Sequence, residues 1–567
     1  MFTLKPTRTV GPADATLGRS TAGLLDRLPP VGTEQLAVLV SLFFSLTSNN
    51  LFFSAATAGR NWSHPASWLF AAAIFIGITA FQSAALMILL NRWSTRPILT
   101  VLLLVTAAAT YYMNKYTVFF NSDMVRNILR TDVKEASELF SLNFCLHMLV
   151  FGIAPSALIW RLQLRKVSWR RALTVRTLYI AGALLLAIGS ILLVFQDFSS
   201  MMRNQKEMRY LITPSNYLIS LARVVTADTE AANKPKIPIS EDAKLGAAWS
   251  SRSKPMLFVL VVGETTRAAN WGMDGYERQT TPELSNLGVF NFNHMTSCGT
   301  NTEVSVPCMF STYGRRNYDE KAIRSHESLL HIINHVGINT VWRDNQSGCK
   351  GVCDGLGQEF FDSSKNSELC DGERCLDEIM LDGMDDEIHK TKGGNLFVVL
   401  HQLGNHGPAY YRRYPAAMKK FTPTCDTADL SKCSQQQIVN TYDNGVLYTD
   451  HFLAKTIDYL KKQTKYDTAM LYLSDHGESL GEHGIYLHGM PYSIAPKEQT
   501  HVPMVMWMSQ GFSADFGVSR DCMEKHVNDS VSQDNLFHSI LGMLQIESKH
   551  YDKSMDITAS CRASHKV

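Results

Sequence analysis

Charge is sparse in this chain, and cysteine is nearly missing from its first half. Only 19% of residues are charged against 45% hydrophobic, and the formal net charge is +2. Such a balance gives no sign of a nucleic-acid partner. No internal repeat and no low-complexity tract organises the sequence. Cys145 stands alone ahead of Cys298, and the other cysteines all fall between Cys298 and Cys561. Regular C-x-x-C spacing is absent, so a zinc site of four thiolates ranks well behind disulfides. Several cysteines are close neighbours: Cys298 and Cys308, Cys349 and Cys353, Cys370 and Cys375, Cys425 and Cys433. That leaves Cys522 and Cys561 for each other, and points to an oxidising compartment.

What is present is a chain split in two. Its 567 residues exceed one compact domain. Residues 36–195 are strongly apolar, and 250–567 have the composition of a soluble protein. Five apolar runs follow a basic tail at 1–34: Leu36–Ala56, Trp68–Leu90, Ile98–Met113, Leu142–Trp160 and Thr177–Phe195. Each is near the ~20 residues a helix needs to cross a bilayer. Ala56 and Ala58 form an A-x-A pattern, but the run before them is too long for a cleaved leader, and four more follow. A retained anchor is expected.

Lys and Arg set the orientation. The tail is basic, the second connection carries Arg92 and Arg96, and the fourth carries Arg161, Arg165, Lys166, Arg170, Arg171 and Arg176 without an acid. These lie on one side if the amino terminus is inside, and five spans then place everything after Phe195 outside. The external connection 114–140 and residues 197–223 read as interfacial and amphipathic. Residues 224–253 read as a linker. The expected domains are therefore a cytoplasmic tail at 1–34, a membrane domain at 35–196, an interfacial helix and linker at 197–253, and a soluble domain at 254–567. Asn49 and Asn50, near the outer end of the first run, read either as functional or as an interhelical hydrogen bond.

In the soluble part, buried-strand patterns at Leu257–Val262, Thr340–Arg343, Leu396–Leu400, Ala469–Leu473 and Val502–Met506 alternate with helical patterns such as Ser328–Val336 and Ile438–Lys462. This predicts an α/β sandwich on a largely parallel sheet. Glu264 follows the first strand, and Asp475 and His476 follow the fourth. They can therefore meet at one rim of the sheet, where open α/β sheets bind ligands. Carboxylates plus imidazole suit zinc or manganese, with a position left open. A hydroxyl from the Ser/Thr-rich loop "TSCGTNTEVSVPCMFS" can fill it and be activated there.

The motifs "GETTRAANWGMDGYER", "TSCGTNTEVSVPCMFS", "NHGPAYYRRYP" and "SDHGESLGEHGIYLHG" resemble those of the phosphoethanolamine–lipid A transferases. That family includes the mobile colistin-resistance enzymes and lies in the alkaline-phosphatase/sulfatase superfamily. The resemblance covers essentially the whole chain. It implies a five-helix membrane bundle followed by a periplasmic sulfatase-like domain, in an inner-membrane protein that works as a monomer. It implies zinc bound by Glu264, Asp475, His476 and the nucleophile Thr302, in preference to Thr300. His406 and His488 would bind a second zinc or the substrate phosphate, with Glu478 able to join them. Lys350 and Gln346 would lie near the phosphate, and Asn127, Thr131 and Glu135 near the lipid head group. Arg130 stands where relatives often have Glu or Gln.

The implied reaction is ping-pong. Phosphatidylethanolamine donates phosphoethanolamine to Thr302, and a lipid A phosphate then takes it, which lowers outer-membrane negative charge and gives polymyxin resistance. Three other readings compete. A phosphoglycerol transferase acting on a glycan would share the chemistry. A sulfatase- or phosphatase-type hydrolase is disfavoured by the lack of a C/S-x-P-x-R motif around Cys308. A non-enzymatic sensor is disfavoured by the full ligand set. Among the other histidines, His401 reads as a structural neighbour, His483 as undecided, and His451 as ordinary surface or core.

Overall fold

A computed structural model describes residues 29–562 except 132, 233 and 362–367, with the side chains of all of these but 134, 135, 231 and 232. Of the tail expected at 1–34, residues 1–28 lie outside the described residues.

Among the described residues, four helices are long and apolar enough to cross a bilayer: Pro65–Leu89, Thr95–Tyr116, Leu142–Arg161 and Trp169–Leu193. A fifth candidate is a bent pair, Thr33–Thr47 and Asn50–Thr57, at 60° to each other. The first apolar run is thus not one straight helix. The break falls at Asn49, whose backbone leaves the helical region. Its buried amide donates to the Thr213 carbonyl at 2.8 Å and accepts from the Thr213 N–H at 2.9 Å. A side chain that satisfies a distant peptide group on both sides is worth more there than a continued helix. The third span runs longer than its apolar stretch, reaching Tyr116. The fourth contains a π-helical turn at Met148–Ile153 just ahead of Pro155, where proline removes a backbone donor.

Packing divides the chain into two units. One unit comprises residues up to Ser48, Arg60–Ala107 and His147–Phe198. Its core is Leu36, Val40, Phe44, Leu86, Leu99, Leu103 and Ile159. Leu185, Ile188 and Leu192 of its last helix are exposed, as lipid-facing side chains would be. The other unit comprises Asn49–Gly59, Ala108–Leu146 and everything from Ser199 onward. Residues 224–232, expected as linker, instead continue a helix, Ser215–Ala232.

The second unit is built on an eight-stranded sheet. Its strands are β1 (Met256–Gly263), β2 (Phe290–Thr296), β3 (Asn339–Asp344), β4 (Gly357–Phe360), β5 (Leu396–His401), β6 (Asp467–Ser474), β7 (His501–Met508) and β8 (Val531–Ser532). Their order is β8-β2-β7-β6-β1-β5-β3-β4. The sheet is mixed: β7 runs antiparallel to both neighbours, and every other pairing is parallel. Strands β1, β5 and β6 are buried along their whole length, which is why they read as unbroken apolar runs. Alternate residues of β1 enter two cores. Phe258, Leu260 and Val262 face one side, and Leu257, Val259 and Val261 the other, where Tyr442, Val446 and Phe452 of helix Gln435–Lys462 cover them. All five expected cysteine pairs are disulfides, and Cys145 is free.

Asn49→Ala should destabilise the protein by about 2 kcal/mol or more, because it strands both polar groups of a buried peptide. Asn50→Ala, at an exposed position, should change little. Thermal unfolding of the two purified variants checks this.

Candidate active site

Strands β1 and β6 are parallel neighbours, with Gly263 opposite Ser474. The residues that follow them therefore emerge side by side: Glu264 from one, Asp475 and His476 from the other. One ligand atom from each lies within 4.8 Å of the others. All three side chains are fully buried. His476 Nε2 is 3.3 Å from Glu264 Oε1 and 3.4 Å from Asp475 Oδ2.

The fourth member arrives from the loop. Helix Thr302–Met309 opens with an Asn301 cap, whose side chain accepts from Val304 N. Thr302 occupies its first turn. Thr302 Oγ1 donates to Glu264 Oε2 at 2.9 Å and lies 3.4 Å from His476 Nε2. Thr300 is used otherwise, donating to the Met490 carbonyl at 2.6 Å. The Cys298–Cys308 disulfide brackets this turn.

The donor set fits a divalent cation. Asp475 Oδ1 accepts from the backbone N–H groups of Thr265 and His476, but Oδ2 is buried without a hydrogen-bond partner. His476 Nδ1 is satisfied by the Gly477 carbonyl at 2.9 Å, leaving Nε2 for the centre. Burial and the charge of Glu264 push Asp475 up to about 7. Burial opposes a charged imidazole at His476, but the Asp475 and Glu264 carboxylates outweigh it and push it up to about 10. Burial also opposes ionised Glu264, yet His476 holds it well below the usual carboxylate range. Every shift reports the same imbalance: two carboxylates in a dry site with one imidazole, short of positive charge.

A second group adjoins the first. Glu478 accepts from the Tyr410 hydroxyl and pairs with His488 Nδ1 at 2.7 Å. The His488 ring lies 4.4 Å from that of His476 and 5.5 Å from that of His406, between centroids. Burial lowers the pKa of His488, keeping it neutral. Arg413 Nε donates to the His406 carbonyl at 2.6 Å, and the same guanidinium pairs with Glu138 at 2.7 Å. The three residues expected to form a second group are thus brought together beside His476.

Lys350, expected near the phosphate, adjoins the residue that follows Thr302. Lys350 Nζ donates to Ser347 and sits 3.9 Å from Glu303 Oε2. Lys350 and Ser347 line a cavity of about 1240 Å³ that also takes in Arg126, Arg130 and Arg324. The Gln346 backbone N–H bonds Asp344, and its side chain accepts from Ser347. Thr131 Oγ1 donates to the Asn127 carbonyl at 2.8 Å. The side chain of Glu135 lies outside the described residues. His401 is buried, with Nδ1 2.8 Å from Asp344 Oδ2. His483 is exposed, and His451 pairs with Glu283.

Sequence reasoning passed over Tyr410, Arg413, Glu138 and Glu303. Tyr410 and Arg413 stand within "NHGPAYYRRYP", where their contacts with Glu478 and His406 have no local signal. Glu303, one residue past Thr302, looks like an ordinary acid in a first helical turn.

Comparison with known proteins follows the same lines. A sulfatase family model matches residues 257–546, and a phosphoethanolamine transferase EptA/EptB model matches residues 78–229. Phosphoethanolamine transferase EptA of Escherichia coli K12 is 36% identical over 93% of this chain and 96% of its own length. This chain belongs to the phosphoethanolamine transferase EptA family. Within that family, phosphatidylethanolamine transferase Mcr-2 of Escherichia coli is 38% identical over 83% of this chain and 88% of its own. The integral membrane EptA structure from Neisseria meningitidis covers 94% of this chain and 100% of its own, at 36% identity and a TM-score of 0.89. The EptA-family fold, membrane helices ahead of a sulfatase-like domain on a mixed sheet, is the one described above.

Gly404 has φ +52, and a Cβ there would overlap the Glu264 carbonyl oxygen and lie 3.0 Å from its nitrogen and Cβ. Gly404→Ala should therefore displace Glu264, lowering both bound metal and turnover, the latter by about tenfold or more. Metal analysis and activity of the purified variant test this together.

Proposed function

We propose that this chain transfers phosphoethanolamine from phosphatidylethanolamine to a phosphate of lipid A, with Thr302 as the covalent carrier. The observation that carries the reading is the meeting of the Thr302 hydroxyl with Glu264 and His476 beside the Asp475 oxygen that accepts no hydrogen bond. The names of the relatives supply the transferred group.

Glu264, Asp475, His476 and Thr302 would hold zinc, which when bound supplies positive charge to the phosphoryl oxygens and acidifies the hydroxyl beside it. The residues do the rest. Glu264 Oε2, as acceptor from Thr302 Oγ1, fixes the direction of the hydroxyl. The Thr302 oxygen forms a bond to the phosphorus of phosphatidylethanolamine as the bond from phosphorus to the glycerol oxygen breaks. Diacylglycerol leaves with a proton. His488, neutral and steered through Nδ1 by Glu478, and His406 stand where that proton can be handed over. A phosphate oxygen of lipid A then displaces Thr302 from the phosphoethanolamine, and the hydroxyl is regenerated.

Both substrates are lipids, which gives the membrane helices their purpose. The Lys/Arg-bearing connections favour a cytoplasmic amino terminus, and the oxidised cysteine pairs suit a periplasmic catalytic domain in a Gram-negative inner membrane. Masking lipid A phosphates reduces surface anionic charge and so gives polymyxin resistance.

Mass spectrometry of lipid A should show a gain of one phosphoethanolamine group in cells carrying the gene. Thr302→Ala should erase that gain while the protein stays folded in the membrane; a retained gain removes Thr302 from its role. Chelation should abolish turnover in the purified enzyme and zinc should restore it. Full turnover by metal-free protein rules the zinc assignment out.

A further inference from the structure

Beside Thr302, six charged side chains close a ring. Arg130 of helix Ser122–Arg130 pairs with Glu303 and, at 3.1 Å, with Asp228 of helix Ser215–Ala232. Asp228 pairs at 3.2 Å with Arg126, one turn before Arg130, and Arg126 pairs with Glu320. Glu320 pairs at 3.2 Å with Arg324, and Arg324 returns to Glu303 at 3.0 Å. Three cations alternate with three anions around the ring, and a fourth cation, Lys350, stands beside it 3.9 Å from Glu303. Glu303 is fully buried, and the Arg126 side chain is 2% exposed. The Glu303 end of the ring is thus buried, whereas Arg130 and Asp228 are 37% and 34% exposed, and a pair of that kind contributes little by itself. With Arg130 removed, Glu303 stays paired with Arg324 and lies 3.9 Å from Lys350, so the fold is kept while one of the contacts that aim its carboxylate is lost.

The ring grips the turn that carries the hydroxyl. Glu303 is the next residue after Thr302, and Arg324 also donates to the Glu303 carbonyl at 2.8 Å. Side chain and backbone of the same residue are thus clamped, while Thr302 Oγ1 must hold 2.9 Å to Glu264. Two of the three cations come from Ser122–Arg130, in the connection that follows the third membrane-spanning candidate.

We propose that Arg130 is a positioning residue for the transfer reaction: through Glu303 it sets the register of the Thr302 turn against Glu264 and His476. Its neighbour Arg126 keeps Arg130 aimed by sharing Asp228. The membrane-side helix thereby takes part in the geometry of the nucleophile without touching substrate. This rests on the assignment of Thr302 made above.

The test uses the full-length enzyme with measured zinc content, phosphatidylethanolamine as donor, and single-turnover labelling of the protein. Arg130→Gln should lower kcat and the labelling rate by roughly tenfold or more, with KM for the donor, zinc content and melting temperature little changed. Arg130→Lys should recover most of the rate. Glu303→Gln should cost a similar factor, and the double variant should be no worse than either single one, as expected of partners in one interaction. Unchanged kcat in Arg130→Gln overturns the proposal. So do losses that multiply in the double variant, or a change confined to KM, which would make Arg130 a substrate contact. Thr302→Ala, run alongside, separates the two readings: if it still turns over, the nucleophile assignment fails, whereas an inactive Thr302→Ala beside a fully active Arg130→Gln defeats only the ring.

Discussion

Two carboxylates meet in a place closed to bulk solvent, and the catalytic unit is arranged around that meeting. Glu264 and Asp475 are delivered by adjacent parallel strands whose register is locked by full burial on both faces. Neither can retreat. The Gly404 backbone closes against Glu264, and Asp475 is tied to the N–H groups of Thr265 and His476. Each ion taken out of water costs several kcal/mol, so the site holds a standing demand for positive charge. The Asp475 and Glu264 carboxylates push the His476 imidazole toward its charged form against the effect of burial. The hydroxyl of Thr302 is aimed at the same point, so the demand for a cation and the placement of the hydroxyl proposed as nucleophile are one feature.

The parts of this arrangement that are legible in sequence share a cause. Strands β1, β3, β5, β6 and β7 run through the middle of the sheet or pack on both faces, and appear as apolar runs. β2 escapes because Asn291 and Asn293 interrupt it, though Phe290 and Phe292 alternate inward. β4 is partly exposed and β8 is very short, so neither leaves a pattern. Glu264, Asp475 and His476 are legible because each directly follows a strand. The preference for Thr302 over Thr300 rests on family resemblance, and in three dimensions the first hydroxyl faces Glu264 and the second a backbone carbonyl. The break at Asn49 and the ring through Arg130 were not legible. Their partners lie far along the chain, and an isolated charge on a helix ordinarily means a solvated face.

The same long-range pairing accounts for the division into units. Residues 108–146 lie between two apolar runs in sequence, yet they pack with the catalytic unit. Lys115 pairs with Asp429 at 2.7 Å, Glu138 with Arg374 at 2.9 Å and with Arg413 at 2.7 Å, and Arg126 and Arg130 enter the ring. Through Arg413 this segment also reaches the His406 backbone. Buried ions hold it in place where hydrophobic patterning alone suggested a surface-lying helix.

The disulfides carry a consequence for how the chain is made. Four of the five join cysteines 4, 5, 8 and 10 residues apart, and the fifth spans 39. Short loops close at small entropic cost, so each cysteine meets its proper mate soon after emerging and before distant thiols arrive. Export into an oxidising space should therefore stitch the domain in order from its amino-terminal end, and maturation should depend on a supply of oxidant more than on later reshuffling of mispaired bonds.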